Sequence, residues 1–585
     1  MERPEGFNND WGKRRELKPI VGMYEGHDSS IVFYLPKTDD WVIYELEKVT
    51  GIKHFSMSRG FKNLFENGPY TVAGPSNTPN NVTQAVKKCL VNLKKDFGIE
   101  NDFLVFHVMP IHASRNDKEV QFGNQGFDYT VLNCPSYHRA RMNHHEGHTW
   151  GAYMTCPWSS AAILSWDAGG DSTTMMFSKI KDGYIQKRTE YPIARVSYMW
   201  QMLGMMMEII VKTKNALDYA GKMMGLSAYG KVHAEKAKEM MPEIKRLMTT
   251  QRMKQHARQY SKDLCALHFP YFKETGTLND EDSAILCYAI QKTTEEIVIE
   301  MIRDEFLDDI HEMDSQLIIT GGTAMNILAN EAIKEAFPDI KVFVPCNPSD
   351  DGISCGLLER EKDFLIWDEF LDRMIRGWDF KYKGPYLMDH HHIDVWRHER
   401  GANETSMKEV ASLLKQGKII GFLNGRSEVG PRSLGNRSIL CDPSQPNMKD
   451  TLNAKVKFRE WFRPFAPMCK LEDADTYFDS RDYEFMDAMQ FGIKVKPEWQ
   501  DHLTEITHED GTARLQVVTP ESNPVVYELL DEFGGVLLNT SFNVQGKPIL
   551  NTIGEAMLIL DKTELDYVVI VHKDTGIPYL FKPRN

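Results

Sequence analysis

The sequence predicts an α/β protein built as two domains. Short apolar runs carry the prediction: Ala161–Trp166 enters Asp167-Ala168-Gly169-Gly170-Asp171, and Gln316–Thr320 enters Gly321-Gly322. Buried strands that deliver polar and glycine residues at their C-terminal ends are how α/β sheets build ligand sites. The length of 585 residues allows roughly two to four domains at about 150 residues each. Residues 361–400, rich in charge and aromatics but without periodicity, read as the connector between a first domain over 1–360 and a second over 401–585.

The chain opens on a hairpin, Pro19–Met23 against Ser30–Tyr34. Helices are expected at 85–97, 283–307 and 324–336. In the second domain Ser406 and Glu409 have the spacing of a capping box, starting an amphipathic helix through Lys415, and Ile419–Leu423 is the next strand. No repeat of roughly 20–50 residues is visible.

A chain that is 42% hydrophobic and 26% charged is neither disordered nor fibrous. Its richest apolar stretch, Gln201–Val211, is broken by Glu208, so no membrane span is expected, and the N-terminus has no apolar core of a signal peptide. The nine cysteines form no C-x-x-C pair and read as reduced thiols. A cytoplasmic protein is the expectation. A net charge of −14 argues against a large footprint on duplex nucleic acid. One local exception is the basic strip from Lys245 to Lys262, with Arg246, Arg252, Lys254, His256 and Arg258; a solvated helix face is the plain reading of it.

Three glycine turns stand in order along the first domain: Glu25-Gly26-His27-Asp28-Ser29-Ser30, the Gly169-Gly170 turn, and Thr320-Gly321-Gly322-Thr323-Ala324-Met325-Asn326. Backbone N–H groups in such turns hold phosphate oxygens, and as a set they match the phosphate and adenosine loops of an actin-like ATPase architecture. Gly169, Gly170, Gly321, Gly322 and Asn326 are the expected nucleotide-binding residues. His144 and His148 are spaced i and i+4, so on a helix both imidazoles share a face. With Asp167 and Asp350 they make a mixed N/O set suited to iron, manganese or zinc. Asp389-His390-His391-His392 is a weaker cluster, not expected to bind metal.

The strongest local signal lies in the second domain. Arg426, Arg432, Arg437, Lys457, Arg459 and Arg463 fall within 426–463, interleaved with Gly, Pro and aromatic residues. Guanidinium forks bind phosphate oxygens in pairs, so these residues predict a buried polyanion pocket, which Asn539, Ser541 and Asn543 could line.

On these residues the sequence resembles the NodU/CmcH family of O-carbamoyltransferases. The resemblance runs through Gly26-His27-Asp28-Ser29, the His144/His148 pair, Asp167-x-Gly, the stretch Gly221-Lys222 to Gly230, Gly321-Gly322-x-x-x-Asn326 and Asp350-Asp351-Gly352. It is most specific at Gly430-Pro431-Arg432-Ser433-Leu434-Gly435-Asn436-Arg437-Ser438. Ala220 and Lys547 depart from the family pattern, and 51–135 matches it loosely.

The resemblance implies an actin-like first domain, akin to the enzymes that make threonylcarbamoyladenosine in tRNA, and a YrdC-like second domain. It further implies ATP with Mg, carbamoyl phosphate as donor, a carbamoyladenylate intermediate, and one divalent or trivalent metal ion, iron favoured. His27 is the expected base, its ordinary pKa near 6.5 suiting the task, and Lys222 the expected added positive charge beside the metal. The acceptor is expected to be a hydroxylated small molecule, sugar or antibiotic, or a hydroxymethylated pyrimidine, free or in DNA. A homodimer is allowed. The rival classes are a sugar-kinase-like ATPase, for which the arginines have no role, and an RNA-binding protein, for which the metal set has none.

Overall fold

The computed structural model describes residues 19–24, 26, 28–35, 37–55, 79–99, 105–109, 137–139, 142–170, 173–191, 196–212, 216–250, 256–358 and 379–584. The expected hairpin is β1 (Ile20–Tyr24) and β2 (Ser30–Leu35), with β3 (Asp40–Glu45) continuing the meander. Near-continuous Val, Ile and aromatic residues bury these strands on both faces. With β4 (Val105–Met109) and β5 (Tyr137–Arg139) they form a sheet in the order β3-β2-β1-β4-β5.

A second sheet uses β6 (Ser160–Gly170), β7 (Thr173–Lys181), β8 (Tyr184–Tyr191), β9 (Gln316–Thr320) and β10 (Lys341–Phe343), ordered β10-β9-β6-β7-β8. In each sheet the first three strands pair antiparallel, and the first strand pairs parallel with the fourth, which pairs parallel with the fifth. One connectivity therefore occurs twice, as an actin-like first domain requires. The helix Asp280–Met301, capped by Asn279 and rich in buried apolar residues, packs in the core beside the second sheet and runs into a π-turn, Ile302–Phe306.

The third sheet belongs to the C-terminal part. It contains β11 (Asn403–Glu404), β12 (Ile420–Leu423), β13 (Arg437–Cys441) and β14 (Ala466–Lys470). After a separate two-stranded ribbon of β15 (Ile493–Lys494) and β16 (Thr512–Ala513), the chain adds β17 (Gln516–Val518), β18 (Leu537–Ser541), β19 (Tyr567–Val571) and β20 (Pro578–Phe581). The order is β11-β20-β19-β12-β13-β18-β14-β17. Ser406 caps the helix Met407–Lys415 by accepting the Glu409 N–H, while the Glu409 carboxylate takes the Thr405 hydroxyl, so the reciprocal half of the expected capping box is redirected.

Residues 379–400 wedge between the first sheet and the third. The Ile43 N–H donates to the Lys383 carbonyl on one side, and the Ser427 N–H to the Pro385 carbonyl on the other. Lys48, buried in the first sheet's flank, reaches the carbonyls of Glu428 at 3.0 Å and Gly430 at 2.8 Å while pairing with Glu45. These contacts fix the third sheet against the first. No helix among the described residues is long and apolar enough to cross a membrane.

Candidate active site

The helix His144–Thr155 begins at a capping box: Asn143 accepts the Glu146 N–H and the Glu146 carboxylate accepts the Asn143 N–H. That cap puts His144 and His148 at the helix start, on one buried face. Asp167 arrives at the C-terminal end of β6, and Asp350 in a short turn, Asp350–Gly352, after β10. His148 Nε2 lies 3.1 Å from His144 Nε2 and 2.9 Å from Asp167 Oδ2. His144 Nε2 is 3.3 Å from the same oxygen, and both imidazoles stand 3.4 Å from Asp350 Oδ1.

These separations test the metal reading. Bonds of ~2.1 Å place neighbouring donors roughly 3.0–3.4 Å apart around one ion. The four side chains fit. Two imidazole nitrogens pointing at each other beside two carboxylates is also a donor set that a cation satisfies better than one shared proton. Tyr24, at the end of β1, donates to Asp350 Oδ2 at 2.9 Å and orients that carboxylate. Burial alone would lower the His148 pKa, but hydrogen bonds to Asp167 and Asp350 push it up to about 9. Burial opposes the low pKa of Asp167 too, yet its two histidine partners hold it well below the usual carboxylate range. His145 faces away: it meets Ser165 at 2.9 Å, and burial drives it down to about 3.

The glycine loop after β9 closes on this centre. Gly321 has φ +90, and a Cβ there would run into the Trp166 backbone. The Gly322 N–H lies 3.4 Å from Asp167 Oδ2, so the loop and the His/Asp set are in contact. Asn326 caps the helix Ile327–Ala336 and exchanges hydrogen bonds with Gln291, which occupies its amide within the protein. Gly169 and Gly170, expected in a turn, are the last residues of β6, with Gly170 opposite Thr173.

His27 lies outside the described residues. Its neighbour Asp28, held at φ +52, meets His54 Nδ1 at 2.8 Å, and His54 Nε2 is 3.4 Å from Asp218, which also binds Lys53. Burial would lower the His54 pKa; the Asp28 charge and the Asp218 hydrogen bond raise it to about 10. Sequence reading missed Lys53, His54 and Asp218, because each draws its role from a distant partner. Lys222, expected to add positive charge beside the metal set, forms an ion pair with Glu460 of the C-terminal part, with both side chains largely buried.

The arginine set divides. Arg432, Lys457, Arg459 and Arg463 come together, joined by Arg514, which the sequence reading did not include. Burial lowers Arg432, to about 10, and Arg463 adds to the effect. Arg514 and Arg459 are pulled well down by burial and then by their cationic neighbours. Lys457 is depressed likewise, and Lys53 of the first domain contributes to that field. Buried Lys457 and half-buried arginines in mutual repulsion make a site for an anion. Lys457 donates to Ser541 and Asn543, and Arg459 is aimed by Asn453 at 2.6 Å while lying over the Phe465 ring.

Arg426, Arg437 and Asn539 belong elsewhere. Arg426 binds Asp40 at 2.7 Å and the carbonyls of Gly384, Lys383 and Trp41. Arg437, fully buried, donates to the carbonyls of Asn424, Asn436 and Gly425. Asn539 is held by Ser433 and Gln516. An arginine fork suits a cluster of carbonyls as well as a phosphate, and here the carbonyls have it. The loop 430–437 is shaped by Glu428, whose Oε1 accepts the N–H groups of Leu434, Asn436 and Arg437.

Comparison with known proteins fits this architecture. The carbamoyltransferase N-terminus family model matches residues 19–357, and the carbamoyltransferase C-terminus model matches residues 411–573. The chain belongs to the carbamoyltransferase family. This carbamoyltransferase is 28% identical to nodulation protein NolO of Bradyrhizobium diazoefficiens over 446 residues, spanning 73% of this chain and 78% of that one. It is 29% identical to nodulation protein U of Azorhizobium caulinodans over 475 residues, 77% of this chain and 80% of the relative. Among solved structures, full-length HypF in a phosphate- and nucleotide-bound form aligns at 10% identity and a TM-score of 0.29, covering 62% of this chain and 47% of HypF. Component A of (R)-2-hydroxyglutaryl-CoA dehydratase from Acidaminococcus fermentans aligns at 10% identity and a TM-score of 0.32, covering 58% and 96%.

Proposed function

We propose that this carbamoyltransferase works in two steps, each on its own site, and moves a carbamoyl group from carbamoyl phosphate through carbamoyladenylate to a hydroxyl. The observation that carries the reading is the pair of unlike sites: a cationic cluster of half-buried Arg432, Arg459, Arg463 and Arg514 around buried Lys457, and a His/Asp centre in contact with a glycine loop. A kinase-like ATPase has no use for the first, and an RNA-binding protein none for the second.

The C-terminal part, read as YrdC-like, performs the first step. Atom balance sets its course. For the carbamoyl group to end on AMP, water must first cleave carbamoyl phosphate to carbamate and inorganic phosphate, and the carbamate oxygen must then attack the α-phosphorus of ATP, expelling pyrophosphate. The guanidinium groups hold the phosphate charge through both events, and Mg accompanies ATP.

The actin-like part performs the second. Gly169, Gly170, Gly321 and Gly322 are read as holding the adenylate. His144, His148, Asp167 and Asp350 would hold the metal ion, iron favoured over manganese or zinc, which supplies Lewis acidity at the adenylate phosphate. Tyr24 fixes the Asp350 carboxylate. His27 accepts the proton of the acceptor hydroxyl as its oxygen bonds to the carbamoyl carbon and AMP leaves.

The acceptor is proposed to be a primary alcohol, with a hydroxymethylated pyrimidine, free or in DNA, set beside a small hydroxylated metabolite. The described part of the basic strip is mixed: Lys245 is taken by Glu296 and Glu300 and Arg246 faces Glu243, while Arg258 and Lys262 are exposed. Arg252 and Lys254 lie outside the described residues. The test is pyrophosphate release that needs ATP and carbamoyl phosphate together, followed by a mass-shift screen across hydroxymethylated nucleosides, DNA, sugars and aminoglycosides. Pyrophosphate release from ATP alone, or none, rejects the two-step reading.

A further inference from the structure

The Lys222–Glu460 pair joins the two parts of the molecule at the rim of the arginine pocket. Lys222 lies in the helix Tyr219–Ser227 of the first domain, and Glu460 in the loop that also carries Arg459 and Arg463. Glu460 is a carboxylate that acts on Arg459, and Arg463 acts on it. Its Oε1 takes the Lys222 ammonium; its Oε2 is buried, accepts no hydrogen bond among the described residues, and makes only a long ion pair, 4.0 Å, with an Arg463 nitrogen. The loop is held under tension of a recognisable kind. It follows a π-turn, Leu452–Lys457, and starts at Phe458, a non-glycine residue at φ +51.

We propose that Lys222 keeps Glu460 off Arg463, and so keeps the anion pocket open for its substrate. Lys222 is thus a positioning residue for the first half-reaction, although it sits in the domain assigned to the second. A carboxylate one rotamer away from a guanidinium is an internal competitor for any phosphate that the guanidinium should bind. The ammonium from across the domain boundary removes the competitor by engaging its other oxygen. Docking of the two domains then becomes a condition for binding the donor. Asp218 lies close enough to act on Lys222 and itself binds Lys53 and His54, so the same ammonium is tied to the cluster beside Asp28.

This inference rests on the two-step reading for its kinetic form, but its binding form does not. The experiment uses the full chain and two readouts: the KM for carbamoyl phosphate in pyrophosphate release, and the Kd for inorganic phosphate by titration calorimetry. Lys222→Met should raise both by on the order of tenfold with kcat little changed, and Lys222→Arg should stay near the unaltered protein. The double variant Lys222→Met with Glu460→Gln should recover most of the loss, because a neutral amide no longer competes. Glu460→Gln alone should bind phosphate at least as well as the unaltered protein, and this holds the test open if Lys222→Met does not fold. A double variant no better than Lys222→Met, or weaker phosphate binding in Glu460→Gln, overturns the proposal. Absent pyrophosphate release with the expected order of phosphate affinities would reject the two-step reading and leave this one standing.

Discussion

His144 Nε2 and His148 Nε2 face each other across 3.1 Å, one helical turn apart, with Asp167 Oδ2 within 3.3 Å of both. The purified protein should carry one metal ion per chain. His144→Ala and His148→Ala should each lose it, seen by elemental analysis, together with carbamoyl transfer. Full metal content in either variant would remove the centre. Tyr24→Phe should retain the metal more loosely, since partners that orient a ligand typically contribute about 10–100-fold in affinity.

Arg459→Ala, Arg463→Ala and Arg514→Ala should each suppress pyrophosphate release while leaving the fold intact. A lost charge-assisted hydrogen bond costs about 1.5–3 kcal/mol. Arg426→Ala and Arg437→Ala should behave differently, lowering the melting temperature, because they strip donors from buried carbonyls and from Asp40. Melting curves beside half-reaction rates separate the two classes.

His27→Ala should block transfer to the acceptor and spare adenylate formation. A general base contributes about 10²–10⁴-fold, so acceptor carbamoylation should slow by that factor while pyrophosphate release continues. Equal loss in both half-reactions would make His27 a ligand of the nucleotide.

Stability should fall as pH rises from neutrality. His54 titrates at about 10 in the folded chain, against roughly 6.5 when unfolded. A raised folded pKa means that the stabilisation is complete below about 6.5 and disappears as pH climbs through the folded value. Denaturant midpoints measured between those limits should decline, and His54→Gln should flatten the decline. A slope unchanged by that substitution would exclude the Asp28–His54–Asp218 cluster as its source.

If DNA is the acceptor, turnover should drop steeply with salt and with joint neutralisation of Arg252, Lys254 and Arg258. Salt-insensitive carbamoylation of a free nucleoside or sugar would assign the strip to the solvated surface.

Much of this site could be read from the chain because its signals are local. The i, i+4 histidines, the strand ends that present Asp167 and Gly321, and the cations from Lys457 to Arg463 are each legible within a short window. Tyr24 is not, because its partner Asp350 lies 326 residues away. Arg514 stands alone in a stretch with no motif. Arg426 and Arg437 misled for a physical reason: the donor geometry that fits a phosphate also fits converging carbonyls, and only the fold says which is present. Lys222 was assigned to the nearer chemistry along the sequence, whereas its partner lies 238 residues on. The doubled sheet left no trace as a repeat, since strand pairing needs only buried apolar residues in the right places.

That doubling makes the β1–β2 and β6–β7 hairpins counterparts in connectivity, as two subunits related by an axis would carry them. Two identical subunits meeting on such an axis would have to present the same side chains from both sides. A single chain is free of that rule. One hairpin region supplies Tyr24, which holds Asp350, while its counterpart supplies Asp167. Covalent linkage of the halves lets each copy change alone, so one contributes a hydroxyl and the other a carboxylate to the same buried centre.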